Sequence, residues 1–67
     1  MKNLIKVERA RHNLSQQQLA DILGITRQSV CAIEKGKFIP STLWALKMAK
    51  HFNIKVEDLF ILDESDT

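Results

Sequence analysis

The sequence predicts an all-α domain of five short helices, and three observations carry that prediction. Apolar residues recur at helical spacing, three and four apart, along most of the 67 residues. Hydroxyl residues stand directly before three of the periodic segments, at Ser15, Thr26 and Ser41. There a side-chain oxygen can accept from the free amides of a helix start. Asn13, Gly24 and Gly36, which tolerate left-handed backbone, stand directly after the first three segments.

The first helix runs from Leu4 to about His12, with Leu4, Ile5 and Val7 as its inward residues. The second spans about Gln16 to Leu23. Ser15 followed by Gln18 forms a capping box at its start, and Leu19, Ile22 and Leu23 repeat along its inner side. Ala20 is small, as it must be if another helix crosses closely above it. The third helix, about Arg27 to Lys35, turns Val30 and Ile33 inward. At 3.6 residues per turn this leaves Gln28, Cys31, Ala32 and Lys35 mostly on the opposite face, with Arg27, Gln28 and Ser29 in the first turn. That outer set carries no acid.

Phe38, Ile39 and Pro40 link to a fourth helix capped by Ser41, TLWALKMAKHF. Ala45, Met48, Ala49 and Phe52 form its inner stripe, while Leu43, Trp44 and Leu46 widen the apolar face beyond what one small core covers. A short fifth helix is expected from about Val56 to Phe60, followed by Ile61 and Leu62. Lys2-Asn3 can pair with Ile61-Leu62 as a short terminal β-ribbon. Residues 1–62 thus make one domain, and 63–67 read as a frayed acidic tail.

The stretch QQQLADILGITRQSVCAIEK carries a resemblance. The spacing of Gln16, Ala20, Gly24, Val30 and Ile33 is similar to the helix-turn-helix of phage repressors and Cro. The continuation Ile33-Glu34-Lys35-Gly36-Lys37, then Pro40-Ser41, resembles the larger XRE family of bacterial regulators. The resemblance covers roughly residues 5 to 60. It implies a compact five-helix repressor-type DNA-binding domain, with helices two and three as the helix-turn-helix.

Several residue roles follow from that resemblance. Arg9 and Glu34 match the positions of a partly buried ion pair that links helix one to the end of the reading helix. Gln16 matches a phosphate-contacting glutamine, with Gln17 beside it at a helix end that favours anions. Helix three would lie in the major groove, where Gln28 suits adenine and Arg27 suits guanine or a phosphate. Thr26 and Ser29 can reach a base or phosphate, Ala32 a thymine methyl, and Lys35 and Lys37 the phosphate backbone. Glu8 departs from the pattern, standing where relatives often place an aliphatic residue.

Composition bounds the remaining possibilities. The net charge is only +2, but its distribution is uneven. Residues 1–50 hold nine Lys and Arg against Glu8, Asp21 and Glu34, hence +6; residues 51–67 hold Lys55 against five acids, hence −4. A basic body suits a polyanionic partner. With 45% hydrophobic residues the chain can bury a core. A single cysteine excludes an internal disulfide and fits a reducing compartment. Cys31 itself reads as a small, half-exposed filler in preference to a redox switch. No apolar run approaches the ~20 residues of a membrane span, so a cytoplasmic location is expected.

Catalysis finds no footing. His12 and His51 lack ligand spacing, tyrosine is absent, and no Gly-rich phosphate loop or activated nucleophile is visible. Neither cofactor, metal nor small-molecule ligand is expected. The expected function is a sequence-specific transcriptional regulator, a repressor sooner than an activator, bound as a homodimer to a palindromic operator. Surplus apolar surface in the C-terminal third places the dimer interface at Trp44, Leu59 and Ile61. The alternative is an antitoxin or anti-regulator of the same fold, acting through a protein partner.

Overall fold

The computed structural model describes residues 1–66. Its elements in order are β1 (Lys2–Asn3), α1 (Ile5–Arg11), α2 (Gln16–Leu23), α3 (Arg27–Glu34), α4 (Thr42–Phe52), α5 (Val56–Leu59) and β2 (Phe60–Ile61). A single 3-10 turn, Glu64–Asp66, follows. The mostly helical fold with a two-stranded ribbon is the architecture expected from the sequence.

The caps act as their residue types dictate. Ser15 Oγ accepts from Gln18 N–H at 3.0 Å and Gln18 Oε1 accepts from Ser15 N–H at 2.8 Å, completing the capping box of α2. Thr26 Oγ1 and Ser41 Oγ cap α3 and α4 through the amides of Ser29 and Trp44. Gly24 closes α2 at φ 72°, and Asn13 and Asn53 adopt the left-handed region after α1 and α4.

The core gathers Ile5, Leu19, Ala20, Leu23, Val30, Ile33, Met48, Ala49, Phe52, Leu59 and Phe60. Ala20 is fully buried, as its place inside α2 requires. Three inward assignments are corrected. Leu4, Val7 and Ile22 are exposed. With Ile5 as the buried anchor of α1, helical geometry carries the inner face on to Glu8, leaving Leu4 and Val7 on the flanks. Glu8 is buried, its carboxylate 3.1 Å from exposed Arg11. The residue that departs from the family pattern therefore sits in the packed face with a partner one turn on.

The C-terminal third is also corrected. α5 ends at Leu59, one residue early, because Phe60 turns into the ribbon. The register is Lys2↔Ile61 and Asn3↔Phe60, antiparallel, in place of a pairing with Ile61-Leu62. A one-residue slip exchanges the two faces of a strand, and this register puts Phe60 in the core and leaves Leu62 outside. Leu59 is fully buried and its carbonyl accepts from Leu4 N–H at 2.9 Å, so it belongs to the core and cannot meet a partner.

Residues 63–66 fold back on the amino terminus, where a frayed tail was expected. The Met1 amine lies 2.9 Å from Asp66 and 3.6 Å from Asp63. The hydrogen bond to Asp66 raises the amine pKa above its usual value. That from Ser65 lowers the Asp63 carboxyl below its own. The last tail position, 67, lies outside the described residues.

Candidate nucleic-acid interface

α2 and α3 pack as neighbours, joined by the turn at Gly24 and Ile25. Val30 and Ile33 are each 2% exposed, which fixes the rotation of α3. Its polar residues are distributed accordingly. Arg27, Gln28, Lys35 and Lys37 are exposed, while Ser29, Cys31 and Ala32 are half-buried. Val30 and Ile33 thus hold the arginine and glutamine of the first turn in solvent.

A polar network fastens this helix from below. Arg9 Nε donates to Glu34 Oε2 at 2.6 Å, its Nη2 to Oε1 at 3.2 Å, and its Nη1 to the Leu14 carbonyl at 2.8 Å. The two side chains are 14% and 8% exposed, so the pair is largely withdrawn from water. Gln16 joins it: its Nε2 donates to Glu34 Oε1 at 3.3 Å, and its Oε1 accepts from Arg27 Nε at 3.4 Å. Arg9, Glu34, Gln16 and Arg27 therefore form one chain of contacts from α1 to the first turn of α3.

Not every candidate side chain is free. Gln17 is exposed and donates to Asp21 at 2.9 Å. Thr26 is occupied by the Ser29 amide and lies 3.0 Å from the Ser29 hydroxyl. Cys31 lines a shallow recess of ≈ 280 Å³ together with Lys6, Arg9, Gln16, Glu34 and Lys35. Its neighbours there are the network residues, while His12 and His51 flank Phe52 with ring centroids 6.3 Å apart. Among the described residues no three His, Cys, Asp or Glu are grouped to hold a metal ion.

Two features escaped the sequence. Gln16 bridges both helices, in addition to standing at a helix end. Asn3 Nδ2 reaches the carbonyls of Ile33 and Glu34, at 3.0 and 3.4 Å. The only local signal for Asn3 is an Asn just ahead of a helix start, where its oxygen can take up a free amide.

The helix-turn-helix family model matches residues 5–59. The chain belongs to the helix-turn-helix family, as an XRE-type transcriptional regulator. This family is a DNA-binding class and not an enzymatic one. The chain is 52% identical over 66 residues to an HTH-type transcriptional regulator of Methanocaldococcus jannaschii, covering 98% of this chain and 100% of that one. It is equally identical to the HTH-type regulator YgzD of Bacillus subtilis, with the same coverage. Its fold matches the crystal structure of the restriction-modification controller protein C.AhdI from Aeromonas hydrophila, with a TM-score of 0.73 and 32% identity. The match covers 84% of this chain and 85% of that one. No helix among the described residues is long and apolar enough to cross a membrane.

Proposed function

We propose that this regulator reads a specific operator with α3 in the major groove of double-stranded DNA and represses by occupying its site. The observation that carries this reading is the exposure of Arg27 and Gln28 at the first turn of a helix whose opposite side is locked into the core. Gln28 offers the paired donor and acceptor that adenine needs, and Arg27 the fork that fits guanine or a phosphate. Lys35, Lys37 and Gln16 stand where the phosphates would run, with Gln17 joining on release from Asp21. Ser29 and Ala32 reach the groove less far, being half-buried, and Thr26 contributes as the cap that shapes the first turn. Selection of bound duplexes from a randomised library tests the reading. One enriched motif is expected, and uniform recovery refutes it.

The regulator acts, in this reading, as a homodimer. Two-fold symmetry then places two copies of α3 in successive major grooves about 34 Å apart, on a roughly palindromic operator. Support comes from apolar side chains left outside the core. Leu43 and Leu46 share one face of α4 and are 59% and 54% exposed. Leu46 also lines a mostly apolar groove of ≈ 240 Å³ with Ile39, Pro40, Val56 and Phe60. Ile61 and Leu62 are exposed nearby in sequence, whereas Trp44 is half-buried against Phe38, ring centroids 6.1 Å apart. Sedimentation equilibrium should give twice the chain mass for the wild type and the chain mass for Leu46→Glu, with both folded. A wild-type monomer at all concentrations counts against the dimer, and co-purification with a different protein through the same face favours the antitoxin reading.

Binding should weaken linearly in log–log form with salt. Each phosphate neutralised contributes about 0.9 to the slope. Lys35→Ala and Lys37→Ala should each lower the slope by about one without changing the enriched motif. An anisotropy titration across salt concentrations checks this.

A further inference from the structure

Asn3 lies outside the helix-turn-helix, yet its side chain ends at the far end of α3. Nδ2 donates to the Ile33 carbonyl at 3.0 Å and to the Glu34 carbonyl at 3.4 Å. On the other side of the same amide, Oδ1 accepts from Ile5 N–H at 3.2 Å. The Asn3 backbone is itself held, in register with Phe60 across the ribbon. One short side chain thus joins three elements: the start of α1, the ribbon, and the carboxyl end of α3.

The chemistry at both ends suits an amide. A helix end carries partial negative charge, and the Ile33 carbonyl, which already accepts from Gly36 N–H at 3.0 Å, has a second lone pair that takes the Asn3 donor. A helix start leaves amides and calls for an acceptor. An asparagine side chain supplies both, which neither a carboxylate nor an aliphatic residue does at this length.

We propose that Asn3 is a positioning residue for the reading helix: it fixes the carboxyl end of α3 and so sets the tilt at which Arg27 and Gln28 are presented. The inference rests on the DNA-binding reading above. The Arg9–Glu34 pair grips the same end through a flexible side chain, whereas Asn3 grips the backbone itself. α3 is about 12 Å long, so a small tilt at Ile33–Glu34 displaces the opposite end by a distance that matters to hydrogen bonds. Base-edge contacts are directional and fail with such a shift. Phosphate contacts from long lysines position the protein without reading sequence and tolerate it. Loss of Asn3 therefore lowers discrimination between sequences more than it lowers affinity for DNA in general.

The test uses the full chain and two variants. Asn3→Asp keeps an oxygen for Ile5 N–H but sets a carboxylate against the carbonyls of Ile33 and Glu34. Asn3→Ser is the milder change, retaining a short acceptor without the reach to α3. Ile54→Ala serves as a stability control, because Ile54 is half-buried between α4 and α5, packs against the core, and stands outside the Asn3 and Arg9–Glu34 contacts. Anisotropy titrations at one salt concentration compare the duplex enriched by the wild type with a shuffled duplex. Both Asn3 variants should lose about tenfold in the ratio of the two affinities, and the uncharged Asn3→Ser should keep shuffled-duplex affinity within about twofold of wild type. Ile54→Ala should keep the wild-type ratio despite a lower melting temperature. An unchanged ratio in both Asn3 variants overturns the inference and leaves the DNA-binding reading intact, as does an equal loss in Ile54→Ala. A wild type that enriches no motif overturns both.

Discussion

The double variant Arg27→Ala/Gln28→Ala is expected to bind the duplex enriched by the wild type at least about thirtyfold more weakly than wild type, from two lost contacts of ~1–3 kcal/mol each. Its melting temperature should stay close to wild type, because both side chains are exposed and neither contributes to the core. The two residues need not lose equally. Arg27 is already in contact with Gln16, so its guanidinium starts partly oriented, and Arg27→Lys keeps the charge while removing the fork. Gln28→Ala should relax specificity at a single base pair, and Arg27→Lys should show whether that side chain reads guanine or holds a phosphate. A mobility shift with the enriched duplex is the measurement. Equal binding by the double variant refutes α3 as the reading face.

Legibility differed along the chain for physical reasons. α2 and α3 were readable to the residue at their starts, because their caps, turn glycine and inward residues all lie within a few positions of one another. Local rules suffice for those starts, though not for Ile22, which the same periodicity turns inward and the structure leaves exposed. α1 was readable as a helix but not in its rotation: Leu4, Ile5 and Val7 offer several apolar stripes, and only contact with Leu59 and the rest of the core selects Ile5 with Glu8. The ribbon register was missed by one residue for the same reason. Whether Phe60 or Ile61 turns inward depends on what lies beneath, and residues 60–62 are all apolar. Leu59 lies in the core and not on the surface, because surplus hydrophobicity in sequence does not say which members of the surplus are exposed.

The site followed the same division. Exposure of Arg27, Gln28 and Lys35 follows from the period of α3 once Val30 and Ile33 point inward. The Arg9–Glu34 contact spans 25 positions, and Asn3 to Ile33 spans 30. No local pattern carries either. The first was anticipated through family resemblance alone, and the second was not anticipated. Helix identity and polarity are short-range properties, whereas the polar contacts at the carboxyl end of α3 join residues far apart in sequence.

Arg9→Ala and Glu34→Ala should each destabilise the fold by about 3 kcal/mol, because each leaves the other charge poorly compensated and largely out of water. Arg9→Ala leaves a carboxylate that is 8% exposed, with only a 3.3 Å contact from Gln16. Glu34→Ala leaves a guanidinium that still has the Leu14 carbonyl at 2.8 Å, so it should be the milder of the two. The double variant Arg9→Ala/Glu34→Ala should cost clearly less than the sum of the singles, since neither charge is then stranded. In a domain of 67 residues, a size at which a single core rarely supplies more than about 3–5 kcal/mol, either single change should remove most of the stability. Urea melts of the four proteins close the cycle. Additive losses would mean that the 2.6 Å contact is not coupled in solution, and α3 would then owe its orientation to Val30, Ile33 and the backbone clasp at its carboxyl end. Coupling of 1 kcal/mol or more, on the order expected for residues in direct contact, would make the ion pair part of what holds Arg27 and Gln28 at a fixed angle. Its loss should then weaken operator binding beyond what partial unfolding explains.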